Sequence, residues 1–397
     1  MTISPDRLNS FIPYGRQEIT ESDIQSVVEV LRSSYLTQGP AVPDFEQAVA
    51  KKVGASYGVA VNSATSALHI SCLALGLGPG DWLWTSPITF VASANCGLYC
   101  GASIDFVDID PSTGLMDIEA LSIKLEYAER QGKLPKVVVP VHLTGASCDM
   151  KAIADLADRY GFFVIEDASH AIGGSYQDQP VGCCLYSDIC VFSFHPVKII
   201  TTAEGGLALT NNPQIAEKMA DLRSHGITKD SDRFQLPAAG PWSYEQQCLG
   251  FNYRMTDLQA ALGLSQLERL DQIVDERNRL YCRYDELLRD LPACLLSIPA
   301  NVRSSVHLAV MRLNADYVSL HRSLFEHLRI SSIGVQVHYS PVHLQPFYRK
   351  FGFMMGSFPC SEAYAQSVIS LPLFPGLRDA DQDHVVSVVD KYLGSML

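Results

Sequence analysis

The sequence predicts an α/β protein with a large domain built on a mostly parallel sheet and a small α+β domain at its C-terminal end. Short apolar segments alternate with helical segments through the first half of the chain. They are nearly uninterrupted, which is typical of parallel strands that helices cover on both faces. The alternation weakens after residue 226, and a long helical pattern follows. The strand-like segments are residues 57–61, 82–87, 103–110, 136–143, 162–169, 188–194 and 205–210.

Helix and turn signals predict where the two domains meet. Thr20 precedes early acidic residues and apolar residues at helical spacing, so a helix begins there. A long loop rich in proline and glycine is predicted over 227–242. The apolar spacing then indicates one long helix over 256–291. We expect a large domain over residues 1–255 and a linking helix with the small domain over residues 256–397.

Composition indicates a well-packed globular protein and excludes several kinds of ligand. Of 397 residues, 47% are apolar and 18% are charged, and the net charge of −13 argues against binding to nucleic acid or a membrane surface. The eleven cysteines form no CxxC pair, as expected for reduced core cysteines. Residues 1–11 lack the features of a signal peptide, and no apolar run reaches membrane-spanning length. We therefore expect a cytoplasmic protein without nucleic-acid or membrane partners.

Lys198 lies on a short loop between two apolar strand-like segments, DICVFSF and GGLALT. Such a position removes water from the ammonium group, and desolvation lowers the pKa of a lysine from its ordinary value of about 10.4. A neutral lysine is a nucleophile toward carbonyl compounds, as Schiff-base chemistry requires. The alternative is a surface lysine beside a hairpin, because lysines are almost always exposed.

Asp167 ends the strand-like segment that contains VIED. Ligands of open α/β sheets bind at the carboxyl ends of parallel strands, where this carboxylate is expected. There it can keep a pyridine nitrogen protonated, which lets the ring act as an electron sink. Alternatively, Asp167 is solvated at the strand end or caps the next helix.

The segment NSATSALH (Asn62–His69) turns from a strand into a helix. Its small residues leave backbone N–H groups free to bind an anion, and Thr65 can add its hydroxyl. Ser193, five positions before Lys198, supplies another hydroxyl. Alternatively, Ser63 or Thr65 simply caps the helix.

Phe90 follows a strand-like segment and can stack on a flat ring, although a core phenylalanine is the alternative.

The dinucleotide-binding pattern G-x-G-x-x-G and the P-loop pattern are both absent from the sequence. His338 and His343 have poor spacing for a metal site and lack an acidic or cysteine partner nearby. We therefore expect no metal ion.

Taken in order, these segments resemble the fold-type I enzymes that use pyridoxal 5′-phosphate. More narrowly, the chain resembles the DegT/StrS-type family of nucleotide-sugar aminotransferases over nearly its whole length. The resemblance implies the fold-type I architecture, with a seven-stranded type of sheet that is mostly parallel, and it implies pyridoxal phosphate as the cofactor. The segments that carry it are YLTQGPAVPDFEQAVA, NSATSALH, SPITFVASAN, EDASHAIG, FSFHPVK, TTAEGG, LRSHG, GFNYRMTDLQAALGLSQL and VQVHYSPVHLQPFY.

The resemblance implies a role for each residue of the cofactor site. Lys198 would hold the cofactor as a Schiff base and move a proton between C4′ of the cofactor and C4 of the sugar. Asp167 would pair with the pyridinium nitrogen, and Phe90 would stack on the ring. His170 would lie near the 3′ oxygen, where many relatives have glutamine. The phosphate ligands would be Ala64, Thr65, Ser193 and, from a second subunit, Asn252.

The same resemblance implies the substrate contacts and the assembly. A homodimer with shared active sites is required, because Asn252 would reach the cofactor of the other subunit. No rigid arginine clamp for a dicarboxylate is visible in the sequence, although Arg254 is a candidate for the wider site. The residues expected to contact the sugar nucleotide are Tyr14, Tyr35, Leu36, Thr37, His338 and Tyr339.

The implied reaction uses L-glutamate to form pyridoxamine phosphate. The amine then attacks the 4-keto group of a UDP-linked 4-keto-6-deoxy-N-acetyl hexose. Within the family, the chain is most similar to the enzymes of pseudaminic acid biosynthesis, through NSATSAL, SPITFVA, FSFH, TTAEGG, RSHG and VQVHY. The alternative is a dTDP- or GDP-linked keto-deoxy sugar, because loops read the nucleotide and the sugar.

Other functions of the same fold lack their features in this sequence. A related dehydratase carries histidine in place of Lys198. A transcriptional sensor would need an appended DNA-binding domain, for which we find neither a basic arm nor an extra helical module. A simple binding protein would not need the lysine.

Overall fold

A computed structural model describes residues 11–394, and its largest element is a seven-stranded sheet. The strands are β1 (Tyr57–Val61), β2 (Trp82–Thr85), β3 (Ser103–Phe106), β4 (Val137–Val139), β5 (Phe163–Asp167), β6 (Ile189–Ser193) and β7 (Gly206–Thr210). They lie in the order β1-β7-β6-β5-β4-β2-β3. β7 runs antiparallel to both of its neighbours, and every other neighbouring pair is parallel. The predicted mostly parallel sheet is confirmed, and each strand lies within its predicted segment.

Helices cover both faces of this sheet. Alternate residues of a strand point to opposite sides, so an apolar strand presents apolar side chains to both faces. Val137 and Val139 pack into one apolar cluster, and Val138 between them packs into another. The helices are α1 (Glu21–Arg32), α2 (Ala41–Val53), α3 (Ala64–Ala74), α4 (Ala92–Tyr99), α5 (Ile118–Gln131), α6 (Met150–Tyr160), α7 (Pro213–Arg223), α8 (Asp257–Glu268), α9 (Leu270–Leu288), α10 (His321–Ile330), α11 (Pro359–Ala365) and α12 (Asp379–Gly394). α3, α4 and α7 cover the first face, and α2, α5, α6 and α8 cover the second.

The cap residue of α1 begins the helix where the sequence predicts and also connects it to α8. The Thr20 hydroxyl accepts the backbone N–H of Asp23, and the Asp23 carboxylate accepts the backbone N–H of Thr20 at 2.8 Å. Asp23 is fully buried and accepts further hydrogen bonds from Ser265 and Gln266 of α8. Since a buried carboxylate without partners is costly, these donors hold α1 against α8.

The prediction of one helix over residues 256–291 is wrong. The chain forms α8, breaks at Arg269, and continues as α9 to Leu288. The backbone of Arg269 leaves the helical region at φ −101° and ψ 5°, and its guanidinium lies 2.8 Å from Asp23. The apolar spacing continues across the break because both helices pack into the same cluster of the large domain. The division between residues 255 and 256 stays a prediction.

The C-terminal part has the α+β architecture that the sequence predicts. Its strands β8 (Ala293–Leu295), β9 (Ala309–Leu313) and β10 (Val368–Leu371) form an antiparallel sheet with β9 at the centre. α10, α12 and the second half of α9 contribute to a separate apolar cluster with this sheet.

The remaining strands are two residues long. The segment predicted as a loop over 227–242 begins with a short hairpin strand, Ile227–Thr228, which pairs with Glu245–Gln246. A small antiparallel sheet is formed by Ser175–Tyr176, Gln179–Pro180 and Val302–Arg303.

Within residues 11–394, no helix is long and apolar enough to cross a membrane. The N-terminal segment, in which we expect no signal peptide, lies almost entirely at residues 1–10, outside the described residues.

Gly206 allows β7 to lie directly against the start of α3. A Cβ atom at this position would stand 2.4 Å from the backbone nitrogen of Ala64 and 2.5 Å from the carbonyl carbon of Ser63. Both are backbone atoms, so a side chain at Gly206 would push α3 away from the sheet.

We expect Gly206→Ala to destabilise the protein by about 1–3 kcal/mol, because overpacking against backbone atoms forces the main chain to move. Denaturant unfolding measures the change. Gly78→Ala is the matched control, since a Cβ at Gly78 would meet nothing within 4 Å. Equal stability of the two variants would contradict the close packing of β7 against α3.

Candidate active site

A cavity of about 410 Å³ opens at the edge where β5 and β6 end and β7 begins. The N-terminal end of α3 and residues of the C-terminal domain complete its wall. This is the carboxyl edge of the parallel strands, where open α/β sheets bind their ligands. The residues that the sequence singled out and that line the cavity are Tyr14, Ala64, Thr65, Phe90, Asp167, His170, Ser193, Lys198, His338 and Tyr339.

Lys198 lies on the loop that joins β6 to β7. The loop is fixed by its own hydrogen bonds: the backbone N–H of Thr202 and the hydroxyl of Thr201 both donate to the carbonyl oxygen of Phe194, each at 3.0 Å. Burial lowers the pKa of Lys198 to about 8, and the nearby carboxylate of Asp167 opposes this effect. The uncharged form of the amine is therefore accessible near neutral pH, so Lys198 is not an ordinary surface lysine.

The carboxylate of Asp167, at the end of β5, is held by hydroxyl groups. Its side chain is only 5% exposed. One oxygen accepts the hydroxyl of Ser93 at 2.6 Å, and the other accepts the hydroxyl of Ser169 at 2.5 Å and its backbone N–H at 3.2 Å. These donors orient the carboxylate at the cavity wall and compensate its burial.

The start of α3 provides an anion-binding surface. Ser63 is the N-cap and accepts the backbone N–H of Ser66 at 3.1 Å, so capping falls to Ser63 and not to Thr65. The N–H groups of Ala64 and Thr65, at the first helical positions, have no acceptor within the helix. The hydroxyls of Thr65 and Ser193 line the cavity and form no hydrogen bond to other residues within 11–394. Together these donors suit a phosphate group.

Phe90 lies in the cavity wall with 58% of its surface exposed, so it is not a core phenylalanine. Its ring centroid is 6.4 Å from that of Tyr339. An aromatic face that lines a cavity is available for stacking on a planar ligand.

Three of the four histidines that line the cavity are His170, His307 and His338. Burial lowers the pKa of each, and the neighbouring Lys198 adds to the effect; the pKa of His338 falls to about 4. The three rings are therefore neutral at physiological pH. The Nδ1 atom of His338 lies 2.7 Å from the hydroxyl of Ser370, which fixes the ring.

Apart from Arg254, which lines a separate pocket with Glu46 and Arg223, four predicted site residues lie outside the cavity of their own chain. Asn252 is exposed and forms a backbone bridge with Ser224. Tyr35 and Leu36 are 56% and 49% exposed, and Thr37 is also exposed. The roles of these residues stay predictions, and that of Asn252 depends on a second subunit.

Sequence reasoning missed several residues of the cavity. Ser169 lies within EDASHAIG and Glu204 within TTAEGG, and both line the cavity. Glu204 follows Ala203, which adopts a φ of 65° in the turn. His307 carried no signal, because it precedes an apolar strand and is remote in sequence from the other residues of the cavity. Within residues 11–394, no three histidine, cysteine, aspartate or glutamate side chains could together hold a metal ion.

The cavity residues fit pyridoxal phosphate. The α3 start with Thr65 and Ser193 offers donors for the phosphate, Asp167 offers an oriented carboxylate for the pyridine nitrogen, and Phe90 offers an aromatic face. Lys198 offers an amine with a lowered pKa.

Comparison with known proteins agrees with this geometry. Residues 17–390 match the model of the DegT/DnrJ/EryC1/StrS aminotransferase family. The spore coat polysaccharide biosynthesis protein SpsC of Bacillus subtilis is 38% identical over 386 residues, which cover 96% of this chain and 97% of that protein. The UDP-4-amino-4-deoxy-L-arabinose–oxoglutarate aminotransferase of Shewanella sediminis is 35% identical, and the match covers 98% and 99% of the two chains.

Solved structures agree as well. PseC of Helicobacter pylori, an aminotransferase involved in the biosynthesis of pseudaminic acid, superposes with a TM-score of 0.88 at 30% identity, and the match covers 97% of this chain and all (100%) of PseC. The putative sugar aminotransferase Spr1654 of Streptococcus pneumoniae, in its pyridoxamine phosphate form, gives the same TM-score of 0.88 at 30% identity and covers the same shares, 97% and 100%. The chain belongs to the DegT/DnrJ/EryC1/StrS family of pyridoxal-phosphate-dependent sugar aminotransferases.

Proposed function

We propose that this aminotransferase moves the amino group of L-glutamate to C4 of a UDP-linked 4-keto-6-deoxy-N-acetyl hexose, as part of pseudaminic acid biosynthesis. The observation that carries the proposal is the position of Lys198, which faces the same cavity as Asp167 and the start of α3. The likeness to PseC supports the sugar, and the relative named for a UDP-linked amino sugar supports the nucleotide.

The cofactor-binding residues divide into four groups, according to the part of the cofactor that they would contact. Ala64, Thr65 and Ser193 hold the phosphate through backbone and hydroxyl donors. Phe90 packs on one face of the ring. Asp167 would keep the pyridine nitrogen protonated, and the cofactor would supply an electron sink when it is bound. His170, which the lowered pKa keeps neutral, would lie near the 3′ oxygen.

Lys198 is the acid and base of the reaction. It removes a proton at one carbon and returns it at C4 of the sugar, which requires an amine that both gains and loses a proton near neutral pH. Its pKa of about 8 meets this requirement, because proton transfer is most effective when the pKa lies near the working pH.

Tyr14, His338 and Tyr339 would contact the sugar nucleotide. All three line the cavity, and the ring centroids of Tyr14 and His338 are 5.8 Å apart. The neutral rings of His338 and Tyr339 can hydrogen-bond to sugar hydroxyls without adding charge. The loop Tyr35–Thr37 would complete this site from a second subunit.

The proposal includes a homodimer in the cytoplasm. Asn252 of the partner subunit would add a phosphate ligand to each cavity, which agrees with its exposed position outside the cavity of its own chain. All eleven cysteines lie within the described residues and are free, which is typical of a reducing compartment.

We expect the pyridoxamine phosphate form of the enzyme to react preferentially with UDP-linked 4-keto-6-deoxy sugars in a panel that also contains dTDP- and GDP-linked ones. Return of the visible absorbance of bound pyridoxal phosphate measures the reaction. Lys198→Arg is the negative control, because arginine keeps the charge but cannot lose its proton, and we expect a rate loss of about 10²–10⁴-fold. Preference for a dTDP- or GDP-linked sugar would favour the alternative substrate and leave the family unchanged.

The reactivity of Lys198 should depend on pH. In cofactor-free protein, the rate of covalent capture of pyridoxal phosphate should rise with pH and level off above about 8, because the amine must be uncharged to react. Asp167→Asn removes the carboxylate that raises the pKa of Lys198. The midpoint of the capture rate against pH should therefore lie lower in this variant than in the unsubstituted protein. Reductive trapping at several pH values measures capture, with Lys198→Ala as the blank. A midpoint near 10.5, the ordinary value for lysine, would contradict the burial of the amine.

A shared site can be tested by mixing two defective variants. Lys198→Ala lacks the reactive amine, and Asn252→Ala should bind the cofactor roughly 10- to 100-fold more weakly, because it loses a hydrogen bond to a charged phosphate. In a mixed dimer, one cavity regains both Lys198 and Asn252 of the partner subunit. Activity at limiting cofactor should therefore return on mixing. Mixed dimers that remain inactive would show that Asn252 does not act across the interface.

A further inference from the structure

His307 is a buried residue of the cavity for which the proposed reaction has no use. Its side chain lines the same cavity as His170, and the centroids of the two rings are 4.4 Å apart at an angle of 48°. His307 is 4% exposed and His170 is 5% exposed. Two imidazole rings in contact without solvent call for an explanation, because histidine usually keeps a polar edge in water.

The backbone that carries His307 is strained. Val306 has a φ of 50°, although β-branched residues rarely enter the left-handed region. Thr144, with a φ of 61°, lies opposite and accepts the backbone N–H of His307 at 2.7 Å. Strained residues of this kind persist where surrounding contacts hold them, and they cluster at functional sites.

Contacts from three other segments hold this strained backbone in place. The hydroxyl of Ser305 donates to the carbonyl oxygen of His170 at 2.8 Å, which connects the two histidine segments directly. Arg277, 1% exposed, donates to the carbonyl oxygens of Val306 and His307 at 3.4 and 3.3 Å. A Cβ at Gly145 would stand 2.9 Å from the backbone nitrogen of Val306, so the segments pack tightly.

The two rings contact each other through packing. Among the described residues, the Nδ1 atoms of His170 and His307 both lack a hydrogen-bond partner. Nε2 is therefore the nitrogen through which His170 makes its hydrogen bonds, and the Tyr339 hydroxyl lies 3.4 Å from it. The His307 ring thus packs on the His170 ring without binding its nitrogen.

We propose that His307 is a positioning residue whose ring packs on His170, excludes water from it, and directs its Nε2 atom toward the cavity. The water exclusion is a property of the cofactor-free protein. That Nε2 then faces the ring oxygen of the cofactor rests on the proposed function.

Electrostatics supports this role. Burial lowers the pKa of His170 well below its ordinary value, and the positive charge of Lys198 and the proximity of His338 lower it further. The other groups that face the two rings are Tyr339, beside His170, and Arg277, behind His307. Because burial is the largest of these effects, admitting water at the position of His307 should move the pKa of His170 back toward its ordinary value of about 6.5.

The test is a histidine NMR titration of the cofactor-free protein with carbon-13-labelled rings, in which His170→Gln identifies the His170 signal. In the unsubstituted protein this signal should not titrate between about pH 5 and 8. His307→Ala, and His307→Asn as a second variant that admits water, should give a His170 pKa at least one unit higher, which is a tenfold change in its protonation equilibrium. His307→Phe should keep the site dry and the signal unchanged.

A matched control separates this effect from general loss of packing. His343 is also fully buried, but it pairs with Glu362 outside the cavity, so His343→Ala should leave the His170 signal unchanged. A His170 that stays untitrated in both His307→Ala and His307→Asn would overturn the proposal. A His170 signal that titrates in His307→Phe as it does in His307→Ala would also overturn the proposal.

Cofactor binding provides a second measurement. His307→Ala should change the ratio of the pyridoxal phosphate affinities at pH 6 and pH 8 relative to the unsubstituted protein, since His170 would gain a proton at the lower pH, whereas His307→Phe should leave this ratio unchanged. Loss of affinity that is equal at both pH values would contradict the role of His307 in keeping His170 neutral. The NMR result does not depend on which sugar the enzyme uses, so it stands or fails separately from the proposed function.

Discussion

The antiparallel pairing of β7 with β6 is the constraint on which the site depends. In an all-parallel sheet, the strand after β6 would begin at the opposite edge, and the connection would have to cross the sheet. Because β7 runs the other way, Ser193 at the end of β6 pairs with Gly206 at the start of β7. The loop between them stays at the carboxyl edge and holds Lys198 there. The absence of a side chain at Gly206 then lets the start of α3 approach the same point.

The electrostatics of the cavity follow from this geometry. The chain carries a net charge of −13, so its overall field does not attract an anionic ligand. Binding of a phosphate must come from local donors, which the start of α3 and two hydroxyls supply. The neutral histidines add polar groups without adding charge. Lys198 and Asp167 are thereby left to set the protonation of the site, and burial and proximity adjust the pKa of the amine.

The C-terminal domain contributes both side chains and backbone contacts to the cavity. Its strained segment around Val306 packs against Thr144 and Gly145 of the large domain and brings His307 to His170. His338 and Tyr339 reach the cavity from the same domain. The two domains therefore meet at the site through buried backbone contacts, which leave little freedom for these side chains.

The sequence by itself determined the elements whose signals are local. Apolar runs indicated every strand of the large sheet, Thr20 marked a helix start, and the residues around Lys198 and Asp167 indicated the chemistry. Only the tertiary structure decided what depends on contacts between distant segments. The break at Arg269 follows from its pairing with Asp23, and the position of His307 follows from a backbone strain that no residue pattern reveals. The sequence also could not show that four predicted site residues lie outside the cavity of their own chain: Tyr35, Leu36, Thr37 and Asn252. Local spacing carries no information on which side of the fold a loop lies.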